Sequence, residues 1–384
     1  MNKQNQLAKI HHSGKPYIIY KSKKGFNLFT NFSKKIVLNN NNIKKFLEKK
    51  YKNKRKKTDL HIGFFGYEIL NNLINIKIPK QKDINFPKGI FYKPEKIINL
   101  SNNLRYKTDK SFKNDSFKIN INQNYYTKIF NKFKKKIKSG ETYQIKICTK
   151  YKTKSKINPL DFFTRLSKTN LAPEAFMIKD NNYSIISCSP ENLITKNGSV
   201  ISTKPIAGTV KKTKSLNKIK ALDYFKKNIK ETKEHNMIVD MERNDLSRVC
   251  KVGSVKLSKQ KIVEEYKDLF HYVSLIKGKL KKGVKNIDII KAMMPGGSVI
   301  GCPKINTLNL LNKQEKENRN IYTGSFGYIK FNGDMRFNII IRSILNFKNF
   351  SEISVASGVV VDSNSSHEFN ENFIKAKALI DLFK

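Results

Sequence analysis

The segment YTGSFGYIKF-NGD-MRFNIIIRSILNF, residues 322–347, decides the fold class. Two apolar runs, Tyr322–Phe331 and Met335–Phe347, flank the turn Asn332-Gly333-Asp334. Asn-Gly suits positive φ, so the segment predicts an antiparallel hairpin. Working outward, Tyr143–Tyr151 alternates apolar and polar residues as a half-buried strand does. Phe176–Cys188 and Glu191–Thr203 read as strands joined by turns, and His61–Tyr67 as a strand whose glycines permit close backbone approach. Helical periodicity marks Tyr125–Lys138, Leu216–Arg243, Ile287–Met294 and a closing helix, Phe369–Phe383. Strands and helices come in blocks rather than in βαβ alternation, which predicts an α+β fold.

The 384 residues carry 77 Lys+Arg against 30 Asp+Glu, a formal charge of +47. Only eight of the basic residues are arginine; the excess is lysine, in a chain rich in Asn and Ile and without Trp. That pattern follows AT-rich codons. Phosphate and base recognition more often shows Arg with interleaved aromatics, so no specific nucleic-acid partner is expected. No apolar run approaches the roughly 20 residues needed to span a bilayer, and the N-terminus lacks a secretory apolar stretch. Cys148, Cys188, Cys250 and Cys302 are far apart, with no CxxC pair. They argue against a zinc site or a disulfide framework and suit a reducing cytoplasm.

Acids are scarce, so their clusters are informative. Glu231, Glu234, Asp240, Glu242 and Asp245 crowd one helical stretch, with Glu231 and Glu234 three apart on one face. Glu368 and Glu371 repeat the spacing on the last helix, and Lys375 one turn on is placed to pair with Glu371. Two such pairs on two helices could hold one hard cation that keeps its waters; solvated faces offsetting excess lysine would show the same spacing. Pro295–Lys304 is a Gly-rich segment leading into a helix near Pro303, either an anion cradle or a structural turn, and it matches neither P-loop nor dinucleotide patterns. His271 lies in an apolar stretch. Arg342 is an isolated charge in an apolar run; if buried it needs a partner, and a carboxylate suits its fork.

Taken together, these segments resemble the chorismate-utilising enzymes, among them anthranilate synthase component I, aminodeoxychorismate synthase component I, and isochorismate and salicylate synthases. The resemblance rests on Lys204–Thr209, Glu231–Leu246, Pro295–Lys304, Tyr322–Tyr328, Phe337–Ser343, and Ser357–Ser363 with Glu368 and Glu371. It covers roughly residues 120–381 and implies a two-layer antiparallel β-sandwich flanked by helices. Residues 114–384 would form the chorismate-binding catalytic domain, with 1–113 a shortened N-terminal region on the same body. By position, it implies one Mg²⁺ held by Glu234 and Glu371, with Glu368 and Glu231 completing the acidic shell. His271 would assist departure of the 4-hydroxyl. Ser298 and its loop amides would meet the ring carboxylate, while Tyr322 and Arg342, with Gly358 nearby, would take the enolpyruvyl carboxylate. Gly208 and Thr209 would line the ring pocket, and Lys375 would reach the metal-bound carboxylate.

Water-using members of the family carry a Lys base where this chain has Gln144, with Lys146 two residues on. Ammonia is therefore the expected nucleophile. No Cys-His-Glu glutaminase set is visible, which implies a separate glutamine amidotransferase subunit as partner. Tyr322-Thr-Gly-Ser, Phe337-Asn-Ile and Tyr143-Gln, and the lack of a Leu-Leu-Glu-Ser segment, resemble aminodeoxychorismate synthase, which feeds 4-aminobenzoate and folate synthesis. Ala207 stands where that branch usually has a catalytic Lys, and it resembles anthranilate synthase of the tryptophan branch.

Overall fold

A computed structural model of the chain describes residues 3–51, 56–74, 76, 86–106, 115–213, 215–266 and 269–384. The N-terminal part holds α1 (Lys3–His12), β1 (Tyr17–Ser22), β2 (Gly25–Val37), α2 (Ile43–Glu48), β3 (Leu60–Phe65), α3 (Leu70–Leu73) and β4 (Gly89–Leu100). Next come β5 (Lys118–Ile119), α4 (Gln123–Lys138), β6 (Gln144–Lys154) and α5 (Pro159–Thr169). A run of strands follows: β7 (Glu174–Lys179), β8 (Tyr183–Ser189), β9 (Asn192–Asn197), β10 (Val200–Lys204) and β11 (Ile206–Lys211). After α6 (Lys218–Lys227) and α7 (Ile229–Val249) lie β12 (Lys256–Glu265), β13 (Leu269–Lys279), α8 (Asn286–Met293) and β14 (Gly301–Cys302). The chain closes with α9 (Lys304–Gln314), β15 (Ser325–Lys330), β16 (Met335–Asn338), β17 (Ser343–Phe347), β18 (Phe350–Val359) and α10 (Ser365–Ile380).

Helix starts follow from composition. Asn122, Asn158, Asn217, Asn228 and Asn364 each cap a helix by accepting a first-turn N–H, about 1 kcal/mol apiece. The Asn228 cap divides the predicted Leu216–Arg243 helix into α6 and α7.

Every strand pair among the described residues is antiparallel. They join into one ribbon, β6–β18–β17–β8–β7–β1–β2 on one side, continuing β4–β3–β15–β16–β9–β10–β13–β12. β5 and β14 add to the other edge of β6, and β11 to β13. The halves stack face to face: Ile18, Phe176 and Ile185 share a buried cluster with Ile62, Phe64 and Phe326. The Phe176 and Phe326 rings stack at 3.8 Å. Helices lie outside, α1, α5 and α10 on one cluster, and α2, α3, α4, α8 and α9 on another. The fold is the expected two-layer antiparallel sandwich with flanking helices. At Gly63 a Cβ would stand 1.9 Å from the Ile90 carbonyl oxygen, so β3 and β4 need that glycine. The boundary expected between residues 113 and 114 falls outside the described residues; β1 pairs β7 and β3 pairs β15, so the N-terminal strands belong to the common sheet.

The hairpin forms as β15 and β16, with Gly333 at φ 90. Met335–Phe347, however, is not one strand. It breaks at Ile339–Arg342, where Arg342 takes φ 49, and the chain crosses from one layer to the other before β17. Pro190–Glu191 makes the matching crossing between β8 and β9. The two crossings run side by side: Ile339 N–H donates to the Glu191 carbonyl at 3.1 Å and Cys188 N–H to that of Arg342 at 3.2 Å. Fully buried Ser189 and Ser187 donate to the carbonyls of Ile339 and Ile341, at 2.5 and 3.0 Å.

His61 on β3 is enclosed by Phe46, Tyr51 and Phe331. Burial, then the fields of Lys49, Lys34 and Lys93, hold its pKa at about 4. The unfolded value is about 6.5, so between these two pH values the unfolded chain binds more protons. This residue's contribution is therefore full above about pH 6.5 and is lost as pH falls toward 4, on the order of 3 kcal/mol in all. His61→Phe should flatten the acid limb of stability in that window; urea unfolding at pH 7 and 4.5 measures it, and an unaltered slope would clear His61 of that role.

Candidate active site

The Asn228 side chain accepts the Glu231 N–H at 3.1 Å and sets the phase of α7. Glu231 faces Gly208 on β11: a Cβ there would lie 2.5 Å from the Phe225 ring and 3.2 Å from Glu231 Oε2. One turn on, Glu234 reaches β6. Its Oε1 accepts from Gln144 Nε2 at 2.8 Å and from Lys146 Nζ at 3.0 Å. Lys146 sits opposite Gly358 in the β6–β18 pair. A Cβ at 358 would stand 2.6 Å from Lys146 Nζ and 2.9 Å from Gln144 Nε2, so glycine leaves the room both donors occupy. The Gln144 Oε1 is buried and has no hydrogen-bond partner among the described residues.

The start of α10 faces the same place. Buried Glu368 accepts from Ser363 Oγ at 3.0 Å. Glu371 pairs with Lys375 at 2.6 Å, as the spacing predicts, and Lys375 Nζ donates to the Ala356 carbonyl on β18 at 2.9 Å. Donor atoms of His367, Glu368 and Glu371 all lie within 4.8 Å of one another; Glu234 stands outside that trio. The Lys146 field holds the Glu234 carboxyl down at about 2. Burial opposes the charge on Lys146, yet Glu234, Glu371 and Glu368 together hold its pKa above the ordinary lysine value. This is an oxygen-rich carboxylate set of the kind that suits a hard divalent cation.

The layer crossings supply the opposite wall. Glu191 is buried beside Ser298, Lys146 and Arg342, and burial pushes its carboxyl up to about 7. Arg342, from the adjacent crossing, makes no ion pair among the described residues; its field reaches Glu191, Cys188 and His271. The carboxylate its fork was expected to grip is thus not supplied by those residues. His271, on β13 opposite Thr209, hydrogen-bonds the Gly208 backbone. Burial, then Arg342, lowers it to about 4, so the imidazole is neutral at neutral pH. Tyr322 is buried with Cys148 and Ala356. Ala207 is the extra residue at the bulge between Ile206 and Gly208 in β11. The side chains of Ala207 and Thr209 lie outside the described set.

The Gly-rich segment is built for packing as well. At Gly297 a Cβ would fall 2.0 Å from the Met241 side chain of α7. The Val299 and Ile300 amides are used inside the turn, on the carbonyls of Gly296 and Gly297 at 3.3 and 3.2 Å. The rest of the acidic stretch leaves the site. Asp240 pairs with Arg243 on the surface, whereas Glu242 and Asp245 are buried beside Lys304, with Thr203 donating to Glu242 at 3.1 Å. Glu191, Arg319 and His367 escaped the sequence reading, the last although it directly precedes Glu368. Glu191 is a single acid between Pro190 and Asn192, in a chain where acids are rare. Arg319, fully buried, grips Glu315 in a fork at 3.0 and 2.6 Å and packs its guanidinium on Tyr67 and Tyr322. It is one of only eight arginines in a lysine-rich chain, a signal that could have marked it.

Residues 12–381 match the family model described as chorismate binding enzyme. The chain belongs to that family. Aminodeoxychorismate synthase component 1 of Bacillus subtilis (strain 168) is 38% identical over 224 residues, 58% of this chain and 48% of the relative, so the chain spans about half its length. The anthranilate synthase component I-like protein of Synechocystis is 32% identical over 346 residues, 83% of this chain and 71% of the relative. Among solved structures, anthranilate synthase component I of Streptococcus pneumoniae has a TM-score of 0.76 at 24% identity, covering 96% of this chain and 90% of that one. The menaquinone-specific isochorismate synthase of Escherichia coli also reaches 0.76, at 14% identity, covering 96% and 89%. Both are likenesses of fold. No helix among the described residues is long and apolar enough to cross a membrane.

A chorismate-binding pocket must meet two substrate carboxylates, and Arg342 has a fork to offer one of them. Arg342→Ala should raise the chorismate KM at least about tenfold, the order of one charge-assisted hydrogen bond. Steady-state kinetics with a thermal melt as folding control decide it; an unchanged KM would remove Arg342 from the pocket.

Proposed function

We propose that this chain is component I of an aminodeoxychorismate synthase. It would aminate chorismate with ammonia freed from glutamine by a separate amidotransferase chain, giving 4-amino-4-deoxychorismate. The observation that carries amination is Gln144 at this wall: its buried Oε1, without a hydrogen-bond partner among the described residues, can accept an N–H from ammonia. Water would donate to it equally, but an amide cannot take the proton that water must lose as a nucleophile. Gln144 is no base for water, and Lys146 is held as an ammonium by Glu234. Two buried donors already on Glu234 keep this wall from activating a hydroxyl nucleophile.

Glu368 and Glu371, with Glu234 from α7, would hold Mg²⁺, and this chain's other residues then have roles that follow from their positions. When bound, Mg²⁺ supplies Lewis-acid stabilisation of charge on the substrate carboxylate and leaving oxygen. Arg342 and Tyr322 orient one carboxylate of the dianion, and Ser298 the other. His271 starts neutral; substrate carboxylates nearby oppose the Arg342 field and favour a proton on the ring, which equips it to protonate the departing 4-hydroxyl. Glu231, beside Gly208, lines the ring side of the pocket. Identity does not choose the branch, since 38% to the Bacillus aminodeoxychorismate synthase component is matched by 39% to anthranilate synthase component 1 of Arthrobacter globiformis. A second reading, anthranilate synthase component I, is favoured by Ala207 at the bulge.

Product analysis separates them. The purified chain with chorismate, Mg²⁺ and ammonium should turn over, and glutamine alone should not replace ammonium. 4-Aminobenzoate should appear only after aminodeoxychorismate lyase is added. Fluorescent anthranilate without the lyase would establish the second reading; isochorismate or salicylate would overturn amination itself. Glu371→Gln should lower Mg²⁺-dependent turnover by about 100-fold or more, the order expected for losing metal-assisted charge stabilisation, and full activity would remove the metal assignment.

A further inference from the structure

Lys146 and Lys375 both act on the carboxylates of α7 and α10, and of the two it is Lys146 that contacts Glu234. Its Nζ lies 3.0 Å from Glu234 Oε1, on α7, and its charge is also felt by Glu368 and Glu371, on α10. It reaches them from β6, through the space that Gly358 leaves open on the neighbouring strand. Glu368 and Glu371 lie side by side with Glu234 beyond them, and carboxylates so gathered need cations to offset them. Lys375 already serves Glu371 at 2.6 Å. Glu234 has Lys146.

We propose that Lys146 is a tethered cation that holds Glu234 in the absence of metal and competes with Mg²⁺ for it. Lys146 is a positioning residue in this role, and the inference rests on reading the acids as a Mg²⁺ site. The charge balance gives it a purpose. Glu234, Glu368 and Glu371 carry three negative charges, and Lys146 with Lys375 two positive ones. Without substrate the cluster is nearly neutral, and a divalent cation gains little by entering. A chorismate dianion changes the balance, so metal and substrate favour each other's binding, and by linkage the favour is equal in both directions. Glu191, buried within the field of Lys146, offers the ammonium a second carboxylate when it leaves Glu234.

The test reads metal affinity directly. Mn²⁺, a spin-active substitute for Mg²⁺, is titrated into the full chain and followed by EPR, with and without chorismate. Lys146→Met should tighten Mn²⁺ binding without chorismate by about tenfold or more, since an ammonium a few ångströms from the ion is gone. The gain in Mn²⁺ affinity on adding chorismate should shrink in that variant, and Lys146→Arg should restore the wild-type pattern. Gly358→Ala is the second variant, because its Cβ would stand 2.6 Å from Nζ and displace the ammonium without deleting it; it should tighten Mn²⁺ binding in the same direction. Unchanged or weaker Mn²⁺ affinity in both Lys146→Met and Gly358→Ala would overturn the proposal while leaving the metal site standing. No Mn²⁺ binding by any form, even with chorismate, would overturn the metal reading and this proposal with it.

Discussion

Two backbones crossing between the sheets, side by side, set the geometry on which everything else depends. A chain that leaves one layer for the other gives up its ladder hydrogen bonds in the least hydrated part of the molecule, where each amide must find a partner. Here the crossings partner each other. Ile339 and Cys188 donate across the gap to the carbonyls of Glu191 and Arg342, and the hydroxyls of Ser187 and Ser189 take the carbonyls between. That arrangement explains why two serines are fully buried in an apolar neighbourhood. It also places an acid and a guanidinium at the seam of the sandwich, held by the main chain rather than by rotamer choice.

Buried charge is the second organising constraint. The chain carries +47 overall, yet its interior sites are balanced locally. Glu234 has Lys146, Glu371 has Lys375, Asp245 has Lys304 and Glu315 has Arg319. Breaking such a pair by removing one member leaves an uncompensated ion in a low-dielectric setting, which costs more than the pair itself contributes. The network under Tyr322 shows how this supports a site. Arg319 is fixed by Glu315, stacks on Tyr67 and Tyr322, and donates to the Lys146 carbonyl at 3.4 Å. One buried ion pair thus steadies both the tyrosine and the strand beneath the acid cluster.

The sequence disclosed elements wherever a local signal agreed with the tertiary outcome. The Asn-Gly hairpin, the α4 helix ending before Gly140, and the Glu371–Lys375 pair were all readable because each depends on neighbours within about four residues. The β2 and β4 strands were not. Their Lys- and Asn-rich segments carry little period-two signal, and only mutual pairing over ten positions, with the sheet beneath, makes them strands. The break at Ile339–Arg342 was hidden for the opposite reason: three isoleucines look like continued strand, and only the Glu191 crossing shows that the chain changes layer. Glu231, Glu234, His271 and Arg342 stood out one by one in spacing and composition, and only the family resemblance joined them into one site, since α7, β13 and the second crossing meet only in three dimensions. Arg319 went unnoticed although Glu315 and Tyr322 are within four residues of it, because it follows α9 in a polar, irregular stretch whose burial depends on packing against distant Tyr67.

Lysine in this chain therefore has two meanings that composition alone merges. Most of the 77 basic residues sit on solvated faces, where an ammonium needs no particular partner and contributes little beyond a long-range attraction for a dianionic substrate. Lys146, Lys304 and Lys375 differ because backbone carbonyls or carboxylates meet them at fixed positions inside the fold. Surface lysines raise the local concentration of an anion and are screened by salt, whereas a buried ammonium decides which charges can coexist in the pocket. Chemistry at the seam depends on the second kind. The seam thus sets carboxylates offset by lysines on one side against Arg342, which makes no ion pair among the described residues, on the other.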